Sequence, residues 1–452
     1  MERALANLGI EELHRRYRAG ELTPSQVVED ALARAERTAD LRAYLYLDAE
    51  GARDAARRAD AEVARGEVGP LTGIPVAIKD LIDVAGMPTT HGSAALETRH
   101  PEHDSRVVAR LRAAGAIITG KTNTSEFGQS ATTENRLGEP CRNPWDATRT
   151  PGGSSGGSAV AVATGTATAS IGSDGGGSVR VPAAMTGLVG LKVSHGGVVD
   201  DTPVPGLSAF SDPGVFAWDV ADVEVVWRLV ADDVGEPAAE GPLRVGFDPA
   251  PDDEPITDAR AAAVRTAAER LAGLGHEVAE HRVDTSGWMS VFGPLALDEE
   301  YRERGHLLEV ADRLTPYELA TLRAGAEQDP ARAQEAARRH PELRERLVAN
   351  LDGLDLLVLP ILALAPFPVG ERPREIAGRK VGKVWGPFPF TPAWNVAGTP
   401  GVAVPVGLDD EGLPLAVQLV GRSGSEATLL ATAEALLSAS PLDLAAELAV
   451  RT

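Results

Sequence analysis

Short apolar runs alternate with amphipathic segments along most of this chain. Thr23 and Pro24, followed by Gln26, form a capping-box helix start, and apolar residues continue from there at helical spacing. Further helices are predicted over Val107–Gly115, Thr257–Leu274, Asp329–Asn350 (one helix or a pair) and Glu426–Ser438. Strands are predicted over Gly73–Val84 (ending in a turn), Ala116–Gly120, Leu243–Phe247, His276–Val283, Asp355–Pro360, Gly401–Val406 and Ala416–Gly421. This alternation is typical of an α/β fold with a mostly parallel sheet covered by helices.

Composition narrows the class of protein. The 452 residues are 43% hydrophobic and 24% charged, with a formal net charge of −22. These values exclude a disordered chain and argue against electrostatic binding of nucleic acid or of an anionic membrane. Leu356–Phe367 is the most apolar run, but it is too short to cross a bilayer and contains Pro360. Met1–Gly9 does not read as a signal peptide and Cys141 is the only cysteine, so we expect a soluble, cytoplasmic protein.

One segment, Gly152–Arg180, is unusually rich in glycine, serine and alanine. A flexible linker would not carry its apolar AVAVA run, and a phosphate-binding loop would need sequence features that are absent. Nucleophilic catalysis is the third interpretation. Gly152–Gly156 (GGSSG) matches the GxSxG elbow of α/β-hydrolases, although an elbow needs a strand before the serine, and loop-forming residues precede this one.

Ser178 has a different local context. A predicted strand over Thr166–Gly172 leads into three consecutive glycines just before this serine. Consecutive glycines allow several N–H groups to point at one place, so a serine beside them has donors for an oxyanion. A glycine-rich tight turn with an incidental serine explains the same residues equally well.

A serine nucleophile needs a base. The nine histidines show no metal-binding spacing, and any of them can lie near a serine in the fold. Lys79 is the other candidate because it ends the apolar run Pro75–Lys79, where burial would favour the neutral amine. The alternative is a lysine that reaches solvent at a strand end, or one that pairs with Asp80 or Asp83.

Together these motifs resemble the amidase signature family over nearly the whole chain. The longest match is Gly152–Pro182 (GGSSGGSAVAVATGTATASIGSDGGGSVRVP). Other blocks of the family stand in the expected order: Gly73–Asp80, Gly120–Phe127 and Asn143–Gly153 upstream, and Gly187–Lys192, Asp355–Pro360, Asn395–Val406 and Gln418–Gly421 downstream.

The resemblance implies a fold with one α/β domain. Its central sheet is expected to be mixed and mostly parallel, with helices on both faces. The domain would span residues 1–452, with a helical segment to about residue 65, a catalytic core to about residue 235 and a substrate-shaping part after it. No cofactor and no metal are expected, the partner is a small-molecule amide substrate, and the protein would be a monomer or homodimer.

The resemblance also implies hydrolysis of a carboxylic amide by a Ser-cisSer-Lys triad. Lys79 would be the base, Ser154 a proton relay with a cis peptide bond to Gly153, and Ser178 the nucleophile. The backbone N–H groups expected to bind the oxyanion are those of Gly175, Gly176 and Gly177. Asp174 and Arg180 are expected to form a structural ion pair, while Ser173 and Gly175 stand where the family usually has threonine.

Other functions remain open from the sequence. The family includes the glutaminase subunit of tRNA-dependent amidotransferases, but Ala326–Asn350 lacks the tyrosine-rich block of those subunits. An α/β-hydrolase-type esterase would use Ser154 with a histidine base, and a silent binding protein would use no serine. If Trp385 and Phe388 face the site, they would favour an apolar or aryl acyl group.

Overall fold

An eleven-stranded mixed sheet forms the centre of this computed structural model, which describes residues 4–201, 207–440 and 442–451. Its strands are β1 Tyr44–Leu47, β2 Pro75–Lys79, β3 Ile117–Thr122, β4 Ala169–Asp174, β5 Val189–Lys192, β6 Asp212–Ala217, β7 Arg244–Phe247, β8 Glu277–Glu280, β9 Leu356–Pro360, β12 Gly401–Leu408 and β13 Pro414–Val420. A separate hairpin pairs β10 Glu375–Ile376 with β11 Arg379–Lys380.

Helices surround this sheet. They are α1 Ile10–Ala19, α2 Pro24–Arg37, α3 Ala49–Ala64, α4 Arg106–Ala113, α5 Gly156–Ala163, α6 Arg180–Thr186, α7 Val220–Val230, α8 Asp258–Gly273, α9 Met289–Arg304, α10 Pro316–Glu327, α11 Pro330–Val348, α12 Pro392–Ala397, α13 Glu426–Ser438 and α14 Leu444–Arg451. No helix in the described ranges has both the length and the apolar character needed to cross a membrane.

The strand order is β1-β3-β2-β4-β6-β5-β12-β13-β9-β7-β8. Parallel pairings lie in two blocks, β3-β2-β4 and β9-β7-β8, and antiparallel pairings connect and flank them. The predicted α/β fold with a large mixed sheet between helices is therefore confirmed. Each predicted helix and strand also has a counterpart, and Asp329–Asn350 forms one helix although Pro341 lies inside it.

Two apolar cores lie on opposite sides of the sheet. Helices α7, α8 and α13 contribute to the larger one, in which Trp227 and Leu429 are fully buried. Helices α5 and α6 form the other with residues such as Val162 and Met185. Because both faces are covered, the central strands are buried throughout, which explains their continuous apolar runs.

The parallel block β3-β2-β4 determines where the polar groups meet. Ile78 of β2 lies opposite Ile171 of β4, so Lys79 at the end of β2 lies at the same edge as Ser173 and Asp174 at the end of β4. Carboxyl ends of neighbouring parallel strands form one edge of a sheet, where α/β proteins place their ligand sites.

Helix α5 crosses this edge at close range through Gly157. A Cβ at Gly157 would lie 2.4 Å from the Asn123 nitrogen and 2.5 Å from the carbonyl oxygens of Ala43 and Asn123. These are backbone atoms, so no side-chain rotation relieves the overlap. The residue must be glycine for α5, and the serines just before it, to lie this close to the sheet.

Replacing Gly157 with alanine is therefore expected to lower the free energy of unfolding by about 2–3 kcal/mol, measured by urea denaturation. Gly273→Ala is the control, since a Cβ there meets nothing within 4 Å at the exposed end of α8. That variant should be neutral or stabilised by about 0.5–1 kcal/mol. Equal stability of the two variants would contradict the packing described at α5.

Candidate active site

Lys79 projects from the end of β2 into the protein interior. Its side chain is fully buried, and its Nζ lies 2.6 Å from Ser154 Oγ and 2.9 Å from Ser173 Oγ. Neither Asp80 nor Asp83 is its partner, because Asp80 pairs with Lys121 at 3.0 Å and Asp83 with Arg99. Within the described ranges, Lys79 is therefore neither solvated nor ion-paired, and its amino group contacts two hydroxyl groups instead.

Burial decides the protonation of this lysine. It lowers the pKa of Lys79 to about 7, and the nearby Asp174 carboxylate opposes this shift only in part. No carboxylate of the described residues lies within ion-pair distance of Nζ to stabilise the ammonium form. A large share of the amine is therefore neutral near pH 7 and able to accept a proton.

Ser154 lies in a loop whose backbone is fixed on several sides. The peptide bond between Gly153 and Ser154 is cis, as the family resemblance implied. Thr133 Oγ1 donates to the Gly152 carbonyl (2.8 Å) and accepts from the Gly156 N–H (3.0 Å), so one threonine bridges both sides of the serine. The segment is a loop that leads into α5, without the preceding strand that an elbow nucleophile requires.

Ser178 occupies the strand–turn–helix position instead, between β4 and α6. Its carbonyl accepts a hydrogen bond from the Ser155 N–H at 3.3 Å, which brings the two serine segments together. Ser178 also lines a cavity with Gly153, Gly128 and Gly176. None of the nine histidines lines this cavity, whereas Gly153, whose peptide bond leads to Ser154, lines it together with Ser178.

The three glycines before Ser178 differ in what their N–H groups do. The Gly177 N–H donates to Asp174 Oδ1 at 2.7 Å and is therefore directed into the protein. No such internal bond holds the N–H groups of Gly175 or Gly176 in the described part of the chain. Gly176 is fixed through its carbonyl, which accepts from Thr391 Oγ1 at 2.7 Å.

Asp174 and Arg180 form the expected ion pair, with Nη2 and Nε each 3.0 Å from a carboxylate oxygen and both side chains fully buried. Burial alone would raise the pKa of Asp174, but the Arg180 charge and its hydrogen bonds outweigh it and hold the pKa below its usual range. Asn395 donates to Asp174 at 3.0 Å, and Gln418 accepts from Arg180 at 3.0 Å. The pair thus joins the glycine turn to the C-terminal blocks.

The two aromatic residues singled out in the sequence lie in different places. Trp385 lines the cavity, together with Phe292 and Leu207. Phe388 is fully buried in a core cluster, 6.0 Å from the ring of Phe367, and is not among the residues that line the cavity. The single apolar pattern around both residues carried no information on which side chain would face the site.

Ser173 is a site residue that the sequence did not single out as such. Its hydroxyl lies 2.9 Å from Lys79 Nζ. In the sequence it stood out only because the family usually has threonine at this position. Its position at the end of β4 could have indicated this contact, because the ends of neighbouring parallel strands such as β2 and β4 lie close together.

Known proteins resemble this chain over nearly its whole length. The amidase family model matches residues 26–430. The chain belongs to the amidase signature family. Among relatives, a glutamyl-tRNA(Gln) amidotransferase subunit of Anaeromyxobacter sp. (strain K) is 36% identical over 96% of each chain. The putative amidase AmiB2 of Mycobacterium tuberculosis (strain ATCC 25618 / H37Rv) is 36% identical, over 93% of this chain and 94% of the relative.

A solved amidase structure shares the whole architecture. It superposes with a TM-score of 0.89 at 33% sequence identity, over 95% of this chain and 99% of the other. As a member of the amidase signature family, the chain is an amide-hydrolysing enzyme, which confirms the activity class predicted from its motifs.

Asp174→Asn should strongly destabilise this amidase-family fold, because it leaves Arg180 as a buried charge without its partner. We expect a loss of about 3–5 kcal/mol in the free energy of unfolding, measured by chemical denaturation. Asp352→Asn removes the partner of Arg422 in an exposed pair and should change stability by less than about 0.5 kcal/mol. A similar small effect for both variants would show that the buried pair does not hold the turn.

Proposed function

We propose that the protein hydrolyses a small-molecule carboxylic amide through an acyl-enzyme on Ser178, with Ser154 as proton relay and Lys79 as base. The observation that carries this proposal is the 2.6 Å contact between Lys79 Nζ and Ser154 Oγ in a fully buried site. A neutral amine touching a hydroxyl, with a second serine on the adjoining turn, is an activated-nucleophile arrangement.

The proposed reaction passes its protons through this relay. Neutral Lys79 accepts the proton of Ser154, which takes the proton of Ser178 as that oxygen attacks the amide carbonyl. The proton then returns along the same path to the leaving nitrogen as the C–N bond breaks, releasing ammonia or an amine. Water adds to the acyl-enzyme, loses a proton to the same relay, and the acid is released with Ser178 restored.

The developing oxyanion needs donors from the backbone beside Ser178. Because the Gly177 N–H is bonded to Asp174, we assign this role to the N–H groups of Gly175, Gly176 and Ser178. Asp174 and Arg180 act by holding the turn, and they do not enter the reaction. Each donor aligned before the reaction lowers the barrier by roughly 3 kcal/mol in sites of this kind.

A glutaminase subunit of a tRNA-dependent amidotransferase is the second candidate function. The 36% identity to the Anaeromyxobacter amidotransferase protein favours it. Against it, the segment that would hold a tyrosine-rich block forms the charged helix α11, whose sequence contains no tyrosine. L-glutamine therefore belongs among the substrates to be compared.

Labelling with a fluorophosphonate tests the nucleophile directly. We expect the adduct on Ser178, mapped by peptide mass, and its loss in Lys79→Met because no base remains to activate the serine. Ser158→Ala is the control, as it removes another buried serine hydroxyl on α5, bonded to Thr122. An adduct on Ser154 that survives in Lys79→Met would instead indicate an esterase-like elbow with a different base.

The pH profile tests the base. Since burial lowers the pKa of Lys79 to about 7, the lysine is protonated and inactive below that pH and neutral above it. We expect kcat/KM for an amide to rise through an apparent pKa near 7 and to level off at higher pH. Activity that rises only above pH 9, as an ordinary lysine would give, is incompatible with the proposed base.

A further inference from the structure

We infer that Trp385 closes the acyl side of the cavity, so that the enzyme acts on amides of short, uncharged aliphatic acids and excludes aryl and long-chain acyl groups. This inference rests on the proposed function, because it assigns the cavity beside Ser178 to the acyl group. It reverses the aryl preference expected from aromatic residues in the sequence.

The size of the cavity supports the inference. It has a volume of about 40 Å³, whereas apolar cavities that accept a benzene ring measure about 150 Å³. Its lining combines backbone around Gly153 and Gly176 with the apolar side chains of Phe292, Leu207 and Trp385. A few carbon atoms fill this space.

Trp385 is held against the backbone that would bind the oxyanion. A Cβ added to Gly176 would lie 2.8 Å from Cη2 of the indole and 3.6 Å from Cζ of Phe292, so both rings lie directly over this glycine. An acyl chain attached to Ser178 therefore meets the indole within a short distance. Glycine at position 176 leaves the backbone exposed toward the cavity.

Other aromatic rings fix the position of the indole. Trp385 packs edge-to-face against Trp288 (5.4 Å between ring centroids) and against Phe292 (5.5 Å). Phe292 in turn stacks on Phe210 at 5.0 Å. Edge-to-face pairs of this kind add stability beyond the area that they bury. The cluster thus makes Trp385 a fixed wall rather than a side chain that yields to a larger substrate.

Among the residues that the structure describes, no charged side chain lines the cavity. Its polar side chains in the described part of the chain are those of Gln129, Ser130 and Ser178. Arg372 donates to the Ser130 and Thr132 hydroxyls and does not itself line the cavity. A γ-glutamyl group brings an ammonium and a carboxylate, and neither finds an opposite charge in this lining.

The test is a series of primary amides: acetamide, propionamide, butyramide, hexanamide, benzamide and L-glutamine. In the wild-type protein we expect kcat/KM to be highest within the first three and at least tenfold lower for hexanamide, benzamide and glutamine. In Trp385→Ala the ratio of hexanamide to propionamide should rise at least tenfold, because each admitted methylene is worth roughly a tenfold change or more.

Trp218→Ala is the matched control. It removes another half-buried indole, bonded to the Val162 carbonyl in a different part of the molecule, and should leave the ratio within about threefold of wild type. If the alanine variant does not fold, Trp385→Leu repeats the test with a less drastic substitution, because it keeps an apolar side chain.

Several results would overturn the inference. If the wild-type protein hydrolyses benzamide, hexanamide or glutamine as fast as propionamide, the proposed limit on acyl size is wrong. If the ratio of hexanamide to propionamide is unchanged in both Trp385 variants, Trp385 does not set that limit. Failure of the proposed function looks different: no amide of the series is hydrolysed and Ser178 takes no label.

Discussion

The chemistry of this protein depends on a lysine amino group kept away from water and from carboxylates. Charged ammonium groups lose several kcal/mol of hydration on burial, so Lys79 favours the neutral form unless a counter-ion compensates. No such counter-ion is available to Lys79 in the described part of the chain, because Asp80 pairs with Lys121 and Asp174 pairs with Arg180. The contacts left to Lys79 are hydroxyl groups, which suit a base.

A second interaction holds the parts of the site together. The buried pair of Asp174 and Arg180 fixes the glycine turn before Ser178 from within, and it receives support from Asn395 and Gln418. These residues come from motifs more than two hundred positions apart in sequence. Because an unpaired charge here would be costly, the pair links the turn firmly to α12 and β13.

Much of the fold could be predicted from local patterns, because fully buried strands and amphipathic helices leave clear periodicity. Helix α5 was harder, since GGSAVAVA is buried on every side and shows no polar face. The N-terminal segment, predicted as helical, also contains the short strand β1. Helices α9 and α10 have no strong amphipathic pattern, so the packing of α9 against α10 and α11 determines where they form.

The sequence indicated candidate residues for the site, but it did not indicate how their side chains are oriented. The motif order indicated Lys79, Ser154 and Ser178, while side-chain direction depends on tertiary packing, which separated Trp385 from Phe388 and turned the Gly177 N–H inward. Ser173 became visible only through the pairing of β2 with β4. Sequence spacing does not encode which neighbour a buried group will meet.

The most direct test of this account is an NMR titration of protein labelled with ¹³Cε-lysine. The chain has only five lysines, at positions 79, 121, 192, 380 and 383, and the Lys79 resonance is assigned by its absence in Lys79→Met. We expect this resonance to titrate with a midpoint near pH 7, without the large upward shift that a carboxylate partner would cause. A Lys79 that stays protonated to pH 10 would contradict the neutral base on which the proposed mechanism depends.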